Sequence, residues 1–393
     1  MPNAAEFLPP EPARGAIRRI HLVAAARPNF MKVAPVYHAL RRRPESYNPI
    51  LVHTGQHYDA NMSDAFFRDL ALPAPDHFLG VGSGSHAAQT AAVMVAYEKL
   101  CEAERPDMTI VVGDVNSTLA AALVAAKLGI ACAHLESGLR SRDRSMPEEI
   151  NRLATDAIAD LLWTPSVDAD ANLAAEGAPP ERVACVGNVM IDSYEMMRPL
   201  IARDPGPAAL GLTPGGYGVV TLHRPANVDR PDALGELVAG LCRAAERLDL
   251  VFPVHPRTRG RLAAFGLDQV VAAAPRIRAV EPLGYVAFMA LVEKSCCVIT
   301  DSGGVQEETT YLGIPCLTLR ETTERPITVA QGSNRLVQPA GLDAAIDEVL
   351  AGRWPRGSRP LHWDGHAADR VVACMDDWFA GLDGRMELSL SRR

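Results

Sequence analysis

Short apolar runs alternate with helix-length segments along almost the whole chain, and this rhythm restricts the fold more than any other feature. The runs are IHLVAAA (20–26), PILVHTG (49–55), MTIVVGD (108–114), IACAHLE (130–136), LLWTPS (161–166) and RVACVGN (182–188). They lack the period-two alternation of a half-exposed strand and read as strands covered on both faces, as in parallel sheets. Helical segments lie between them: MKVAPVYHALRRR (31–43), with Pro35 expected in its first turn, HAAQTAAVMVAYEKLCEAE (86–104) and NSTLAAALVAAKLG (116–129), which stops at Gly129. The rhythm breaks in the proline- and glycine-rich stretch 197–218 and restarts with GVVTLHR (218–224), LDLVFPVHP (248–256), IRAVEPL (277–283), CCVITDSG (296–303) and IPCLTL (314–319). The expected fold is α/β, two Rossmann-like doubly wound domains. The expected divisions are a loose tail at 1–17, a first domain at 18–196, a second at 197–365, and a last helix, about 366–393, packing back on the first.

The 393 residues are 48% hydrophobic and 22% charged, enough for one or two full cores. With a net charge of −8 and no basic run, nucleic acid is not expected as a partner. No apolar run approaches the ~20 residues of a membrane span, so no membrane partner is expected. The eight cysteines form no CxxC pair and mostly lie in apolar runs, which fits reduced thiols in a cytoplasmic protein.

In doubly wound sheets, ligands bind beyond the carboxyl ends of the strands, and polar residues gather there in this chain. In TDSGGVQEETTYLG (300–313), Asp301 or Ser302 can cap a helix, and Gly303 and Gly304 let an anion approach its free N–H groups. Glu307 and Glu308, one turn in, suit ribose hydroxyls. His223 and Arg224 end one strand and His255 another; each is also a common structural type. Arg27 and Lys32 follow the first strand, Asp114 the third and Glu136 the fourth, while Glu148 opens a helix after Pro147. Singly, each acid is equally a cap or a salt-bridge partner. Together, opposite an anion site, they suit proton transfer at carbon. HTGQHYD (53–59) has no metal spacing, and VGSGSHAA (81–88) does not follow the first strand, so neither a metal nor a dinucleotide cofactor is expected.

Seven ordered segments, RPNFMKVAP, TGQH, GDVNSTLA, HLESGLRS with PEEINR, VTLHRPANVD, ITDSGGVQEE and LRETTERP, resemble the non-hydrolysing UDP-N-acetylglucosamine 2-epimerases from about Ile20 onward. The resemblance implies a GT-B-like fold with the site in the interdomain cleft, a homodimer, and an isomerase without redox cofactor or essential metal. It implies inversion at C2 of a UDP-sugar by elimination and re-addition of UDP through a 2-acetamidoglucal, supplying UDP-ManNAc-type sugars to cell-envelope polysaccharide synthesis. The matching acid/base and site positions are Asp114, Glu136, Glu148, His223 and Lys32. Nucleotide binding falls to Arg27, His223, Phe288, Ser302, Gly303, Gly304, Glu308, Arg320 and Glu324 or Arg325. A second sugar-nucleotide site of regulated members maps onto Gln56, His57, Gln89 and His255, although Tyr58, Asp59 and Ala88 depart from that pattern. Asn29 stands where the family's GTRPE has Glu, Pro225 and Ala226 where many members have Arg and Glu, and Ile327 where many have Glu. Three further readings are an epimerase of a diacetamido-uronic acid nucleotide, a hydrolysing 2-epimerase and a GT-B glycosyltransferase.

Overall fold

The computed structural model describes residues 17–55 and 67–390, apart from the side chains of Arg27 and of residues 383–390. The chain divides into two compact units, one of residues up to Met196 and from Leu361 onward, the other Met197–Pro360. Among the described residues, no helix is long and apolar enough to cross a membrane.

The first unit is built on a parallel sheet of β1 (Arg18–Ala24), β2 (Tyr47–His53), β3 (His77–Phe78), β4 (Met108–Val112), β5 (Ala131–Leu135), β6 (Leu161–Thr164) and β7 (Val183–Cys185), in the order β3-β2-β1-β4-β5-β6-β7. All five residues of β4 are buried, as expected of a strand covered on both faces. The helices used below are α1 (Arg27–Arg41), α2 (His86–Glu104), α3 (Asn116–Leu128), α4 (Pro147–Ile158), α5 (Val167–Ala175) and α6 (Val189–Ile201). The strand order reverses between β1 and β4, so the crevice of this sheet opens where α1 and α3 begin.

Pro35 does not sit in a first turn. The helix begins four residues earlier than expected, at Arg27, and Pro35 lies inside it. A proline there leaves the carbonyl of residue 31 without its helical donor. The hydroxyl of Ser193 on α6 donates to the Met31 carbonyl instead, so the lost bond is replaced from a neighbouring helix. The final helix, Ala367–Leu390, is tied to the first unit by Asp192, whose two carboxylate oxygens accept the Ala367 and Ala368 N–H groups at 3.0 and 2.7 Å. The indole N–H of Trp363 donates to the Pro165 carbonyl at 2.9 Å.

The second unit carries β8 (Tyr217–Thr221), β9 (Asp249–Pro253), β10 (Ile277–Val280), β11 (Cys297–Thr300), β12 (Cys316–Thr318) and β13 (Asn334–Leu336), all parallel, in the order β10-β9-β8-β11-β12-β13. Its order reverses between β8 and β11. Its helices include α7 (Pro231–Ala245), α8 (Pro256–Ala264), α9 (Tyr285–Val292) and α10 (Gly303–Leu312). One apolar core, containing Leu237, Leu241, Leu250, Phe252 and Ile299, joins α7 to this sheet. The stretch after Met197, expected to be irregular, instead continues α6 to Ile201 and then forms a 3-10 turn at Gly206–Leu210.

Candidate active site

At the switch point of the first sheet, three strand ends converge. Asn29, in the first turn of α1, accepts the Ala25 and Ala26 N–H groups at 3.3 and 3.1 Å and donates from Nδ2 to the Val112 carbonyl at 3.2 Å. It thereby ties the end of β1 to the end of β4. One turn on, Lys32 donates to the Glu136 carboxylate, and both side chains are largely buried. A buried pair of this kind holds both charges in place through mutual neutralisation. Gly113 lies beneath this pair with φ +68°; a Cβ there would stand 3.3 Å from Lys32 Nζ, 3.4 Å from Glu136 Oε2 and 3.5 Å from Asn29 Nδ2. The left-handed backbone favours glycine here, and a Cβ would press lightly on Lys32 Nζ. Glu136 has φ +72°, an uncommon conformation for a residue with a side chain, at the end of β5.

Asp114 does not cap α3, whose N-cap is Val115. Its carboxylate instead meets Arg152 Nη1 at 2.5 Å, and its carbonyl accepts Asn151 Nδ2 at 2.9 Å. Both partners come from α4. Glu149 on the same helix is buried and fully occupied, accepting the Ser141 and Arg142 N–H groups at 2.9 and 2.8 Å and Arg152 Nη2 at 2.6 Å. Burial opposes its charge, but these donors hold its carboxyl below the usual range. Its neighbour Glu148 is exposed and has no hydrogen bond or ion pair among the described residues. Adjacent carboxylates on one helix turn are thus divided into a structural one and a free one. The Arg27 side chain lies outside the described residues; its backbone opens α1.

The second unit presents a cationic counterpart at its own switch point. Asp301 ends β11 but caps no helix. Its buried carboxylate accepts the His223 and Arg224 N–H groups at 3.0 and 2.9 Å, Asn227 Nδ2 at 3.1 Å, and lies 2.9 Å from His223 Nδ1. Burial works against this charge, and the His223 ring, the Arg224 N–H and Asn227 outweigh it, so the carboxyl titrates below its usual range. The His223 Nδ1–H donates to this carboxylate, which leaves Nε2 unspent by that bond, on a ring 38% exposed. The Ser302 hydroxyl, expected as a possible cap, makes no cap bond either; the α10 N-terminus keeps its free N–H groups.

Three arginines surround Glu324: Arg325 Nη1 at 2.8 Å, Arg320 Nη2 at 2.7 Å and Arg224 Nη2 at 3.2 Å. Against its burial, they hold this carboxyl far below the usual range. Arg325 also meets Glu307 at 2.8 Å. Among the described residues, Arg320 Nη1 is buried without a hydrogen-bond partner. Gly303 lies against this cluster, since a Cβ would come within 2.7 Å of Arg325 Nη1, whereas a Cβ on Gly304 would meet nothing within 4 Å. Free helix N–H groups beside unspent guanidinium donors form an anion site. Glu308 is buried, and its carboxyl is pushed up to about 8 by that burial, with the Glu307 charge adding and a Tyr285 hydrogen bond opposing. Phe288 is half-buried on α9.

Of the positions for a second nucleotide site, Gln56 and His57 lie outside the described residues. Gln89 is buried and accepts Asn116 Nδ2 at 2.8 Å. His255 caps α8 and stacks at 5.7 Å from the His223 ring, which places it beside the anion site. Among the described residues, no group of His, Cys, Asp and Glu could hold a metal ion. Sequence reasoning missed the role of Asp301. The signal for Asp301 was a strand ending on an acid, which also fits a helix cap.

The family profile described as UDP-N-acetylglucosamine 2-epimerase matches residues 38–376. The chain belongs to the UDP-N-acetylglucosamine 2-epimerase family. A UDP-N-acetylglucosamine 2-epimerase from Methanocaldococcus jannaschii is 40% identical over 361 residues, 90% of this chain and 98% of the relative. A UDP-2,3-diacetamido-2,3-dideoxy-D-glucuronate 2-epimerase from Pseudomonas aeruginosa is 37% identical over 360 residues, 90% of this chain and 98% of that protein. The crystal structure of the M. jannaschii UDP-GlcNAc 2-epimerase in complex with UDP-GlcNAc and UDP superposes with a TM-score of 0.82 at 37% identity, covering 91% of this chain and 99% of that one. The α/β architecture of two parallel sheets is the GT-B-like one of these epimerases.

Proposed function

We propose that this chain interconverts UDP-N-acetylglucosamine and UDP-N-acetylmannosamine. The observation that carries the reading is the Lys32–Glu136 pair beside Asp114 at the first switch point, with Glu148 free on α4. C2–H of the sugar is only weakly acidic. Its removal needs a placed base while the C1–O bond breaks and UDP leaves as an anion. A carboxylate of the first unit takes the C2 proton, giving 2-acetamidoglucal and UDP. The α10 N-terminus, the unspent donor of Arg320 and the Nε2 of His223 hold the diphosphate and ease its departure. UDP then adds back at C1 while a second acid delivers a proton to the opposite face of C2. Lys32 pairs with Glu136 and orders its carboxylate. Glu308 meets the ribose and Phe288 the uracil in this reading. The same reading expects a homodimer working in the cytoplasm.

Incubation with UDP-GlcNAc in heavy water, followed by proton NMR, tests it. The expected products are UDP-ManNAc and both epimers deuterated at C2. Release of free ManNAc and UDP would point to a hydrolysing epimerase. Turnover confined to the diacetamido-uronic acid nucleotide would move the chain to the specificity of the Pseudomonas relative.

A further inference from the structure

Two turns carry the acids of the first unit, Gly113–Asp114 after β4 and Glu136–Gly138 after β5. Both are tied to one buried pair. His134, on β5 and fully buried, directs Nε2 at the Gly113 carbonyl at 2.8 Å and Nδ1 at Asp156 Oδ1 at 2.6 Å. Asp156, on α4, accepts the Gly138 N–H at 3.0 Å and meets Arg140 Nη2 at 2.8 Å. Arg140 in turn grips Glu176 through Nε at 2.8 Å and Nη2 at 2.6 Å.

The donor count fixes which ring nitrogen donates to Gly113. A carbonyl oxygen has no hydrogen to give, so His134 Nε2 must donate to Gly113. Asp156 already serves a backbone N–H and a guanidinium. Burial opposes its charge, but its partners hold the carboxyl below the usual range, so it too only accepts. Both ring nitrogens therefore face acceptors. The buried guanidinium of Arg140 offsets the buried Asp156 charge, while Glu176, which Arg140 also grips, lies exposed.

We propose that the pairing of His134 with Asp156 is the positioning device that sets the spacing between Asp114 and Glu136. Residues 134 and 138, two on either side of Glu136, are both fastened to Asp156, so the pair brackets the strained residue. Conformations like that of Glu136 persist only where the surroundings over-determine them. The second arm of the same ring holds the Gly113 peptide, and Asp114 follows directly.

This inference rests on the epimerase reading, and the test separates the two. Turnover and UDP affinity are measured separately in the wild-type protein and in variants of the pair. In His134→Gln and Asp156→Asn, kcat is expected to fall by about 10²-fold with UDP affinity within about twofold of wild type, because small displacements of catalytic groups cost that much. A kcat within about threefold of wild type in both variants overturns it. Should either variant fail to fold, amide exchange of the wild-type protein decides: protection of the Gly138 N–H, which donates to Asp156, is expected, and free exchange there overturns the proposal. Failure of the wild-type enzyme to exchange C2 of UDP-GlcNAc would instead remove the epimerase reading and leave amide exchange to judge the His134–Asp156 pair.

Discussion

Asp301 closes β11, yet its carboxylate serves the loop after β8, accepting the His223 N–H at 3.0 Å and lying 2.9 Å from His223 Nδ1. One acid therefore fixes both the backbone and the ring of His223. Asp301→Ala leaves the His223 and Arg224 N–H groups without their acceptor, at a cost of about 1–3 kcal/mol for each buried group. The thermal midpoint should fall by roughly 5–15 °C. UDP affinity, read by calorimetry, should fall as well, because the His223 ring is released. An unchanged melting curve would show that Asp301 does not organise this loop.

Glu148 and Glu149 give an internal contrast. Glu148→Gln should lower turnover by about 10²–10⁴-fold while UDP still binds and the melting temperature holds, as for loss of a general acid or base. Glu149→Gln should act through stability, because it weakens bonds to Ser141, Arg142 and Arg152. Near-normal turnover of Glu148→Gln would take that residue out of the mechanism.

The two glycines opening α10 should behave oppositely in stability. Gly303→Ala drives a methyl group into Arg325 and Glu324 and should lower both the melting temperature and UDP affinity. Gly304→Ala meets nothing within 4 Å and replaces glycine in a helix, so stability should hold or rise by about 0.5–1 kcal/mol. Its UDP affinity should nonetheless fall if the diphosphate approaches this backbone. Unaltered UDP binding by Gly304→Ala would move the diphosphate elsewhere.

Glu308 predicts a sign for pH dependence. Its folded value of about 8 lies above its ordinary 4.5, so between these limits the folded state holds a proton that the unfolded state has lost. The stability this group contributes is full below about pH 4.5, declines as pH rises toward 8, and is gone above it. The slope is at most about 1.4 kcal/mol per pH unit for one proton. Denaturant titrations from pH 5 to 8 should show a flatter profile for Glu308→Gln than for wild type. Parallel profiles would mean that Glu308 is already ionised at pH 5.

The layout of the sheets was legible because buried parallel strands are unbroken apolar runs, as in MTIVV of β4. β3 and β13 escaped notice, being two and three residues long and built from His-Phe and Asn-Arg-Leu. Pro35 misled because its missing bond is replaced by Ser193, a residue 158 positions further along whose role no local pattern reveals. The candidate acids and the glycines of α10 were visible as strand-end chemistry. Glu148 stood out in the sequence as the acid that follows Pro147, but the partners of Glu149 emerge only from the folded loop at Ser141–Arg142. Asn29 looked like a plain departure from the family's Glu. Its amide uses both ends, accepting from one strand end and donating to another, which a carboxylate cannot do.

The arginines around Glu324 have a thermodynamic consequence. Each of these long side chains loses up to about 2 kcal/mol of rotamer freedom when it is immobilised. Here Glu324 exacts that loss during folding, before any diphosphate arrives. An incoming anion therefore meets guanidinium groups that are already ordered, and most of its attraction to them is realised as affinity.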